Sequence, residues 1–275
     1  MIKIYIVTYK CPFLNDNLKS LFESDAYPED YSVDVIVNHP DYYIADEYRD
    51  RVTIHLQSLR SETSEGFLSR DWNQALVLGF GNLRNPEADQ VILCQDDTIW
   101  HKNWRQRLDE IHEQYSFYAC GWGDGFMSFK PEAVRRIGLF DESYVGIGYH
   151  EGDYFLRQLL YNTYHCSIND RYHHRTWNPT EDVVSRIDAG ILQTHRKKGP
   201  AMVTRPKNVN YFVKKWECYD KDDIWWREIS CYWNKHIFTI GLNAVSFPRK
   251  KQDILYPQFE RQLYRDTLNK FYNIS

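Results

Sequence analysis

Strand-like and helix-like patterns alternate along the first part of this chain. Short runs of β-branched and aromatic residues, such as "IKIYIVTY" (2–9) and "VDVIVNH" (33–39), are typical of buried strands. Between them, apolar residues recur three and four positions apart in residues 14–22 and 67–83, which indicates amphipathic helices. Strands that alternate with helices usually form a parallel sheet with helices on both faces. We therefore predict an α/β fold with a mostly parallel central sheet flanked by helices.

Two adjacent carboxylates follow one of the predicted strands. The run "QVILC" continues as "QDDT", which places Asp96 and Asp97 at the expected carboxyl end of the strand. In open α/β sheets, ligands bind beyond these ends. One interpretation is that the pair caps a following helix, because Asp is favoured at N-caps, although a cap needs only one carboxylate. The alternative is metal binding, because a divalent cation would offset the charge of both side chains.

The charge of the chain argues against a polyanionic partner. The sequence has 34 Lys and Arg residues against 38 Asp and Glu residues, a formal net charge of -4. This balance gives no electrostatic attraction to nucleic acid, and no nucleic-acid partner is expected. The nearest basic cluster, "RPKNVNYFVKK" (205–215), is interleaved with apolar residues and is interpreted as a solvated helix face.

Cysteine usage and hydropathy favour a cytoplasmic protein. The 6 cysteines are scattered without a CxxC spacing, several of them within apolar runs, as is typical of buried free thiols. The amino terminus has the pattern of a first strand rather than that of a signal peptide. No run of about 18 apolar residues occurs, so no transmembrane segment is predicted.

The pattern changes near Gly199 and Pro200, where a domain boundary is expected. Residues 1–199 are assigned to the α/β domain and residues 200–275 to a helical C-terminal extension. The extension contains "DDIWWREISCYW", which has too many large apolar side chains to stay solvated. We expect it to pack onto the first domain or to form a homodimer through its helices.

Several motifs occur in a recognisable order. They are a Thr-Tyr turn after the first strand, "SRDWN", "QDDT" and "GLFDESYVGIGYHEGDYFLR". In order and spacing they resemble the GT-A fold nucleotide-sugar glycosyltransferases, particularly the inverting family 2 type. The resemblance covers roughly residues 1–180, and its most specific part is "IGLFDESY" followed by "DYFLR".

The resemblance implies a nucleotide-sugar donor site at the ends of the first strands. Its implied residues are Thr8, Tyr9, Asn38, Arg70, Asn73, Gln95 and Asp96. Two of these depart from the usual family pattern. Gln95 stands at the first acidic position of the metal motif, where it can still hydrogen-bond to the donor. The expected donor is a UDP-sugar. Asn38 stands where many relatives have an Asp near the base, a departure that weakens the choice of uridine.

The resemblance also implies a divalent cation, Mn²⁺ or Mg²⁺. Asp97 is expected to be its direct ligand, with Asp96 in support. His174 in "DRYHHRTW" is the candidate third ligand, and His173 and His195 are its alternatives. The cation would neutralise charge on the departing diphosphate.

The acceptor side is expected around the second group of motifs. Glu151 falls at the general-base position of the family, and Asp153 is a second catalytic candidate whose alternative role is an ion pair with Arg157, four residues on. Three residues are expected to contact the acceptor sugar: Trp122, Asp124 and His150. The implied reaction moves a hexosyl or pentosyl group to a hydroxyl of a glycan or glycoconjugate, with inversion.

Two other functions are open. A metal-dependent nucleotidyltransferase would also place carboxylates beside a parallel sheet, but the chain has no Gly-rich, Lys-bearing triphosphate loop after its first strand. A non-catalytic carbohydrate-binding protein of the same fold would be expected to lose carboxylates, whereas Asp96, Asp97 and Glu151 are all present.

Overall fold

The computed structural model describes residues 1–9, 12–56, 67–121, 125–146, 149–161, 166–170 and 183–187, together with residues 207, 208, 210, 211 and 215. In chain order the strands of this part are β1 (Ile2–Thr8), β2 (Tyr31–Val37), β3 (Thr53–Leu56), β4 (Gln90–Gln95), β5 (Thr98–Trp100), β6 (Phe117–Gly121), β7 (Phe126–Phe129), β8 (Cys166–Asp170) and β9 (Val184–Arg186). Its helices are α1 (Leu14–Phe22), α2 (Asp46–Arg49), α3 (Leu68–Phe80), α4 (Trp104–His112), α5 (Pro131–Ile137) and α6 (His150–Tyr161).

Seven strands form the central sheet in the order β3-β2-β1-β4-β7-β6-β8. β1 is parallel to β2 and β4, β2 is parallel to β3, and β6 is parallel to β8. β7 is antiparallel to both of its neighbours, β4 and β6. The connection between Gly121 and Phe126 is too short for the crossover that a parallel pair needs. The predicted mostly parallel α/β sheet is confirmed, and β7 is its one reversed strand among those described.

Both faces of the sheet are buried. Along β1, Tyr5 and Val7 belong to the apolar cluster that includes Trp72 of α3. The alternate residues Ile4 and Ile6 belong to the opposite cluster, which contains residues of α1 and α4. Parallel strands covered on both sides have this continuous apolar character.

Helix α3 lies unusually close to the sheet. A Cβ atom at Gly79 would overlap with Cγ2 of Val91 in β4. The absence of a side chain at this position therefore sets the distance at which α3 packs on β4. The helix carries three of the residues discussed below, so this contact also fixes their height above the sheet.

The region after Asp97 corrects one interpretation of the carboxylate pair. Residues Thr98–Trp100 form β5, which pairs antiparallel with β9, and helix α4 begins only at Trp104. Asp96 and Asp97 therefore do not cap the next helix. Helix α4 ends at His112, and Phe117 already pairs with Phe129 and Cys166 in the central sheet.

Two further expectations can be compared with the described residues. Cys94 and Cys120 are free and buried, as predicted for the thiols of this chain. No helix in the described part is long and apolar enough to cross a membrane.

Candidate functional site

The carboxyl ends of three neighbouring parallel strands meet at one edge of the sheet. Thr8 is in register with Val37, and Val7 is in register with Gln95. Thr8 therefore ends β1, and Asn38 and Asp96 directly follow the ends of its two neighbours. Neighbouring strands lie about 4.8 Å apart in such a sheet. From β1 the chain adds β2 and β3 on one side and β4 on the other. The edge between β1 and β4 is thus a topological switch point, where α/β sheets bind ligands.

The start of α6 lies at the same edge. α6 precedes β8, which is parallel to β6, so the helix runs back along the sheet from the carboxyl edge. A parallel bridge between Phe67 and Gly146 also joins the backbone that leads into α3 with the backbone that leads towards α6. The structure therefore brings Glu151 to the edge that carries Asp97.

Hydrogen bonds to its backbone carbonyls hold the turn that carries the carboxylate pair. Asn17 of α1 donates its Nδ2 to the carbonyl of Gln95 at 3.0 Å. The backbone nitrogen of Ile187 donates to the carbonyl of Asp97 at 3.1 Å. Asp96 and Asp97 are 8% and 2% exposed, so both carboxylates sit at the margin of the folded core. These two bonds fix the backbone on both sides of Asp96 at this edge of the sheet.

These carboxylates fit a divalent cation that is shared with a substrate. Within the ranges that the structure describes, no group of three or more His, Cys, Asp and Glu side chains could hold a metal ion by itself. Mg²⁺ is usually bound by one or two carboxylates together with substrate phosphates, rather than by a cage of protein ligands. Asp96 and Asp97 supply that kind of partial oxygen site. The third candidate ligand, His174, lies outside the described residues, as do His173 and His195.

The predicted donor residues Thr8, Tyr9 and Asn38 lie together at the ends of β1 and β2. The backbone nitrogen of Asn38 donates to the carbonyl of Thr8 at 3.0 Å. The ring of Tyr9 stands edge-on to the ring of His39, with centroids 5.4 Å apart. These contacts join the two strand ends into one surface.

Asn38 is fully buried, and the nitrogen and oxygen of its side-chain amide differ in their hydrogen bonding. Its Nδ2 donates to Oδ2 of Asp71 in α3 at 2.8 Å. Its Oδ1 is buried and has no hydrogen-bond partner within the described structure. Leaving a buried acceptor without a partner is costly, so such an atom calls for an explanation. A ligand that donates a hydrogen bond here would supply one.

Two other predicted donor residues, Arg70 and Asn73, lie on α3 in different environments. Arg70 is exposed, with its guanidinium carbon 5.3 Å from the centroid of the Phe67 ring. Asn73 is buried, and its Nδ2 donates to the carbonyl of Phe140 at 2.9 Å and to Oε1 of Glu142 at 2.8 Å. The backbone nitrogen of Phe140 donates in return to Oδ1 of Asn73 at 2.7 Å. Asn73 therefore ties α3 to the loop before α6, and its contact with a donor stays a prediction.

On the acceptor side, Glu151 and His150 form a pair at the start of α6. Nδ1 of His150 lies 3.1 Å from Oε2 of Glu151, and the Glu151 side chain is 27% exposed whereas that of His150 is fully buried. Tyr149, just before the helix, has a φ of 69°, a left-handed conformation that is uncommon for a bulky residue and is often found at functional sites. The other acceptor candidates, Trp122 and Asp124, lie outside the described residues.

Asp153 is enclosed by donors and cations. Its Oδ2 accepts from Nε of Arg157 at 3.0 Å, which is the pair that the four-residue spacing predicted. Its Oδ1 accepts from the hydroxyl of Tyr144 at 3.3 Å and lies 2.9 Å from Nζ of Lys215. The structure thus gives Asp153 an anchoring role, and a catalytic role for it stays a prediction.

Several residues that shape this edge escaped the sequence analysis. Asn17 could have been found, because it is a polar residue on the apolar face formed by Leu14, Leu18 and Leu21. The contact between Asp71 and Asn38 joins positions 33 residues apart and leaves no local pattern. Lys215 was placed on a solvated face, and this interpretation is wrong, because its side chain is 2% exposed and faces two carboxylates.

Comparison with known proteins supports the fold. No protein-family model and no curated protein sequence matches the chain. The crystal structure of S. aureus TarS 1-349 is similar over 99% of this chain and 90% of that chain, with 10% identity and a TM-score of 0.50. Its complex with UDP covers 88% and 73%, at 12% identity and a TM-score of 0.51. Its complex with UDP-GlcNAc covers 98% and 80%, at 10% identity and a TM-score of 0.51.

Similarity at this level of identity establishes a common fold rather than a common activity. The agreement extends over nearly the whole chain, so it is not restricted to one supersecondary unit. The GT-A-like α/β fold that the motifs imply is confirmed.

Proposed function

We propose that this chain is a glycosyltransferase that moves a hexosyl or pentosyl group from a nucleotide-diphosphate sugar to a hydroxyl of a glycan or glycoconjugate. The observation that carries the proposal is the carboxylate pair Asp96 and Asp97 at the switch point beside Thr8, with Glu151 at the same edge. The solved structures with this fold include complexes with UDP and UDP-GlcNAc, which favours a UDP-sugar as donor.

Asn38 supports a uracil base. Asp71 engages Nδ2 of Asn38, and this contact fixes the amide so that Oδ1 is left as a hydrogen-bond acceptor. The ring N–H of uracil would donate to this oxygen. The corresponding ring nitrogen of cytosine is an acceptor and would repel it. The same Asn that departs from the family's usual Asp therefore keeps the acceptor that a uracil requires.

The carboxylate pair would hold Mn²⁺ or Mg²⁺. When bound, such a cation neutralises the charge that develops on the departing nucleoside diphosphate. Asp97 supplies the direct carboxylate contact and Asp96 supports it. The hydrogen bonds of the Asn17 side chain and the Ile187 backbone to this turn keep its backbone in place before the donor binds.

Glu151 would accept the proton of the acceptor hydroxyl as that oxygen attacks the anomeric carbon. A sugar hydroxyl is too weakly acidic at neutral pH to attack without such a base. Glu151 lies in the first turn of α6, where the helix dipole favours the ionised carboxylate. Oε2 of this carboxylate is buried and lies 3.1 Å from Nδ1 of His150. One displacement assisted by one base inverts the anomeric configuration.

A thermal-shift experiment with a paired variant tests the proposal. UDP or UDP-GlcNAc together with Mn²⁺ should raise the melting temperature more than the nucleotide or the metal alone, since a ligand at 100 times its Kd stabilises the native state by about 2.7 kcal/mol. Asp97→Asn should abolish the part of the shift that requires both. Asp109→Asn makes the same change at an exposed position of α4 and should respond like the wild type.

Two results would contradict the proposal. One is a wild-type protein whose melting temperature responds to no nucleotide or nucleotide sugar with or without Mn²⁺. The other is an Asp97→Asn variant with the full metal-dependent shift, which would remove the carboxylate pair from the donor site.

A further inference from the structure

A short part of the C-terminal region contacts the segment that leads to Glu151. Nδ2 of Asn208 donates to the carbonyl of Val145 at 2.9 Å. The hydroxyl of Tyr211 donates to Oδ2 of Asp141 at 2.9 Å. Nζ of Lys215 bridges this same oxygen and Oδ1 of Asp153. We call Asn208, Tyr211 and Lys215 the clasp.

The clasp has the geometry of one helical face. Its residues are separated by three and four positions, and all three are helical in the structure. Residues at this spacing project from the same side of a helix. The three side chains of the clasp contact the α/β domain together, while Lys207 beside Asn208 is exposed.

The charged groups at the clasp are buried, so each charge needs a compensating partner. The side chains of Lys215 and Asp153 are 2% and 0% exposed, and that of Asp141 is 11% exposed. Arg157 binds the second oxygen of Asp153, so two cations balance two carboxylates. Burial would raise the pKa of Asp141, but the nearby Lys215 ammonium and further hydrogen bonds hold it below its ordinary value. Removing one member of a buried set like this leaves a charge without compensation.

The contacts of the clasp fall on both sides of Glu151 in the sequence. Asp141 and Val145 belong to the loop before α6, and Asp153 lies two residues after Glu151 in the first turn of the helix. The left-handed backbone of Tyr149 lies between them, and such a conformation persists only where its surroundings hold it. The clasp therefore contacts the segment that carries Glu151 both before and after this residue.

We propose that the C-terminal clasp positions Glu151, with Lys215 as its central positioning residue. Lys215 does not touch the reacting atoms in this role. It holds the start of α6 against the loop at Asp141 so that the Glu151 carboxylate faces the acceptor side of the site. The role of Glu151 as base rests on the proposed function, whereas the fastening of α6 by the clasp does not.

The first test is hydrogen exchange of the full chain, which needs no activity. Lys215→Met keeps most of the side-chain volume and removes the charge. Amides in residues 141–153 should exchange at least about tenfold faster than in the wild type, while those of β1 and β4 should be unchanged, because the loss is local. Lys3→Met is the matched control, since it removes an ammonium that pairs with Glu87 at the opposite edge of the sheet.

The second test separates positioning from general loss of structure. Lys215→Met should bind UDP with Mn²⁺ within about twofold of the wild type, but hydrolyse UDP-GlcNAc at least about tenfold more slowly, because water must also be deprotonated by Glu151. Lys215→Arg should recover part of the rate. Tyr211→Phe removes only one hydroxyl and should give a smaller effect in the same direction, so the proposal can be tested even if Lys215→Met fails to fold.

The outcomes are distinct. Unchanged exchange in residues 141–153, or an equal increase throughout β1 and β4, would overturn the clasp. UDP binding and hydrolysis that fall by the same factor would overturn its positioning role. A wild-type protein that neither binds UDP nor hydrolyses UDP-GlcNAc would instead refute the proposed function, while the exchange measurement would still decide whether the clasp fastens α6.

Discussion

The proposed donor side of the site is built on neighbouring strands, whereas the proposed acceptor side is built on a helix and the loop before it. Thr8, Asn38 and Asp96 are placed by the register of three paired strands. The segment around Glu151 is held by side chains from distant parts of the chain, because Asn73 binds the loop at Phe140 and Lys215 pairs with Asp153. The first arrangement is a property of the sheet itself, and the second depends on a few individual contacts.

This difference predicts that the two sides can be damaged separately. A substitution that touches only the strand ends should change donor affinity and leave the chemical step intact. A substitution at α6 should do the opposite. The predictions below test this separation, from the largest expected effect to the smallest.

Glu151→Gln is expected to give the largest effect. It keeps the shape of the side chain but removes the base, so turnover should fall by about 10²- to 10⁴-fold while UDP affinity with Mn²⁺ stays within about twofold. Steady-state kinetics with UDP-GlcNAc and calorimetry with UDP measure the two quantities. Glu110→Gln, an exposed position on α4, is the control. Near-normal turnover of Glu151→Gln would place the base at another residue.

The configuration of the product gives an independent reading of the same step. If Glu151 assists a single displacement, NMR of the first product formed should show an anomeric configuration opposite to that of the donor. A retained configuration would not affect the assignment of the donor residues, but it would refute the role of Glu151 as the base. It would also contradict the proposed division between the two sides, because the acceptor side would then have to supply a nucleophile.

The parts of the fold and site that have a strong local sequence pattern could be predicted from the sequence. The strand before Asp96 and Asp97 was predictable, because a buried parallel strand has a continuous apolar run and its carboxyl end follows directly. The pair of Asp153 and Arg157 was also predicted from their four-residue spacing, and both residues lie on α6, which begins at His150. Elements with a strong local pattern, and the residues at their ends, were therefore found.

Contacts between distant segments were not predictable in this way. The basic run at residues 205–215 has the composition of a solvated face, and nothing local marks Lys215 as the partner of Asp141 and Asp153. The reversal of β7 likewise depends on its neighbours in the sheet rather than on its own residues. Burial of a charge is decided by the partner that compensates it, and that partner lies elsewhere in the sequence.

The folding stability of the protein should depend on pH, and this dependence should affect both sides of the site together. His112 is buried at the end of α4, with Nε2 2.7 Å from Oγ of Ser128 in β7. Burial lowers the pKa of His112 from 6.5 to about 4, although its contact with the carbonyl of Tyr115 acts in the opposite direction. Between these two values the unfolded chain binds more protons than the folded one. The folded state should therefore lose stability as pH falls from about 6.5 towards 4, by up to about 3 kcal/mol.

Denaturant unfolding at a series of pH values measures this loss. His112→Gln should be less stable at pH 7 but should show a flatter dependence of the unfolding free energy between about pH 6.5 and 4. His101→Gln, which changes a partly exposed histidine, should keep the wild-type slope. An unchanged slope in His112→Gln would show that other groups cause the loss. Because His112 supports the sheet and not either side of the site, donor binding and turnover should decline together with folding.

The smallest effect is expected from Asp71→Asn, which tests how the donor side selects its base. Asp71 can only accept from Nδ2 of Asn38, and this fixes Oδ1 of Asn38 as an acceptor. An Asn at position 71 can accept or donate, so the Asn38 amide would no longer have one orientation. UDP affinity should fall by roughly 2- to 10-fold, the value of about one hydrogen bond. CDP affinity should rise relative to UDP, because a rotated amide presents its N–H to the ring acceptor of cytosine. General destabilisation would weaken the binding of both nucleotides alike. Calorimetric affinities for UDP and CDP in the same ratio as in the wild type would therefore refute the role of Asp71. If the two sides are separable, turnover at saturating UDP-GlcNAc should stay at the wild-type value.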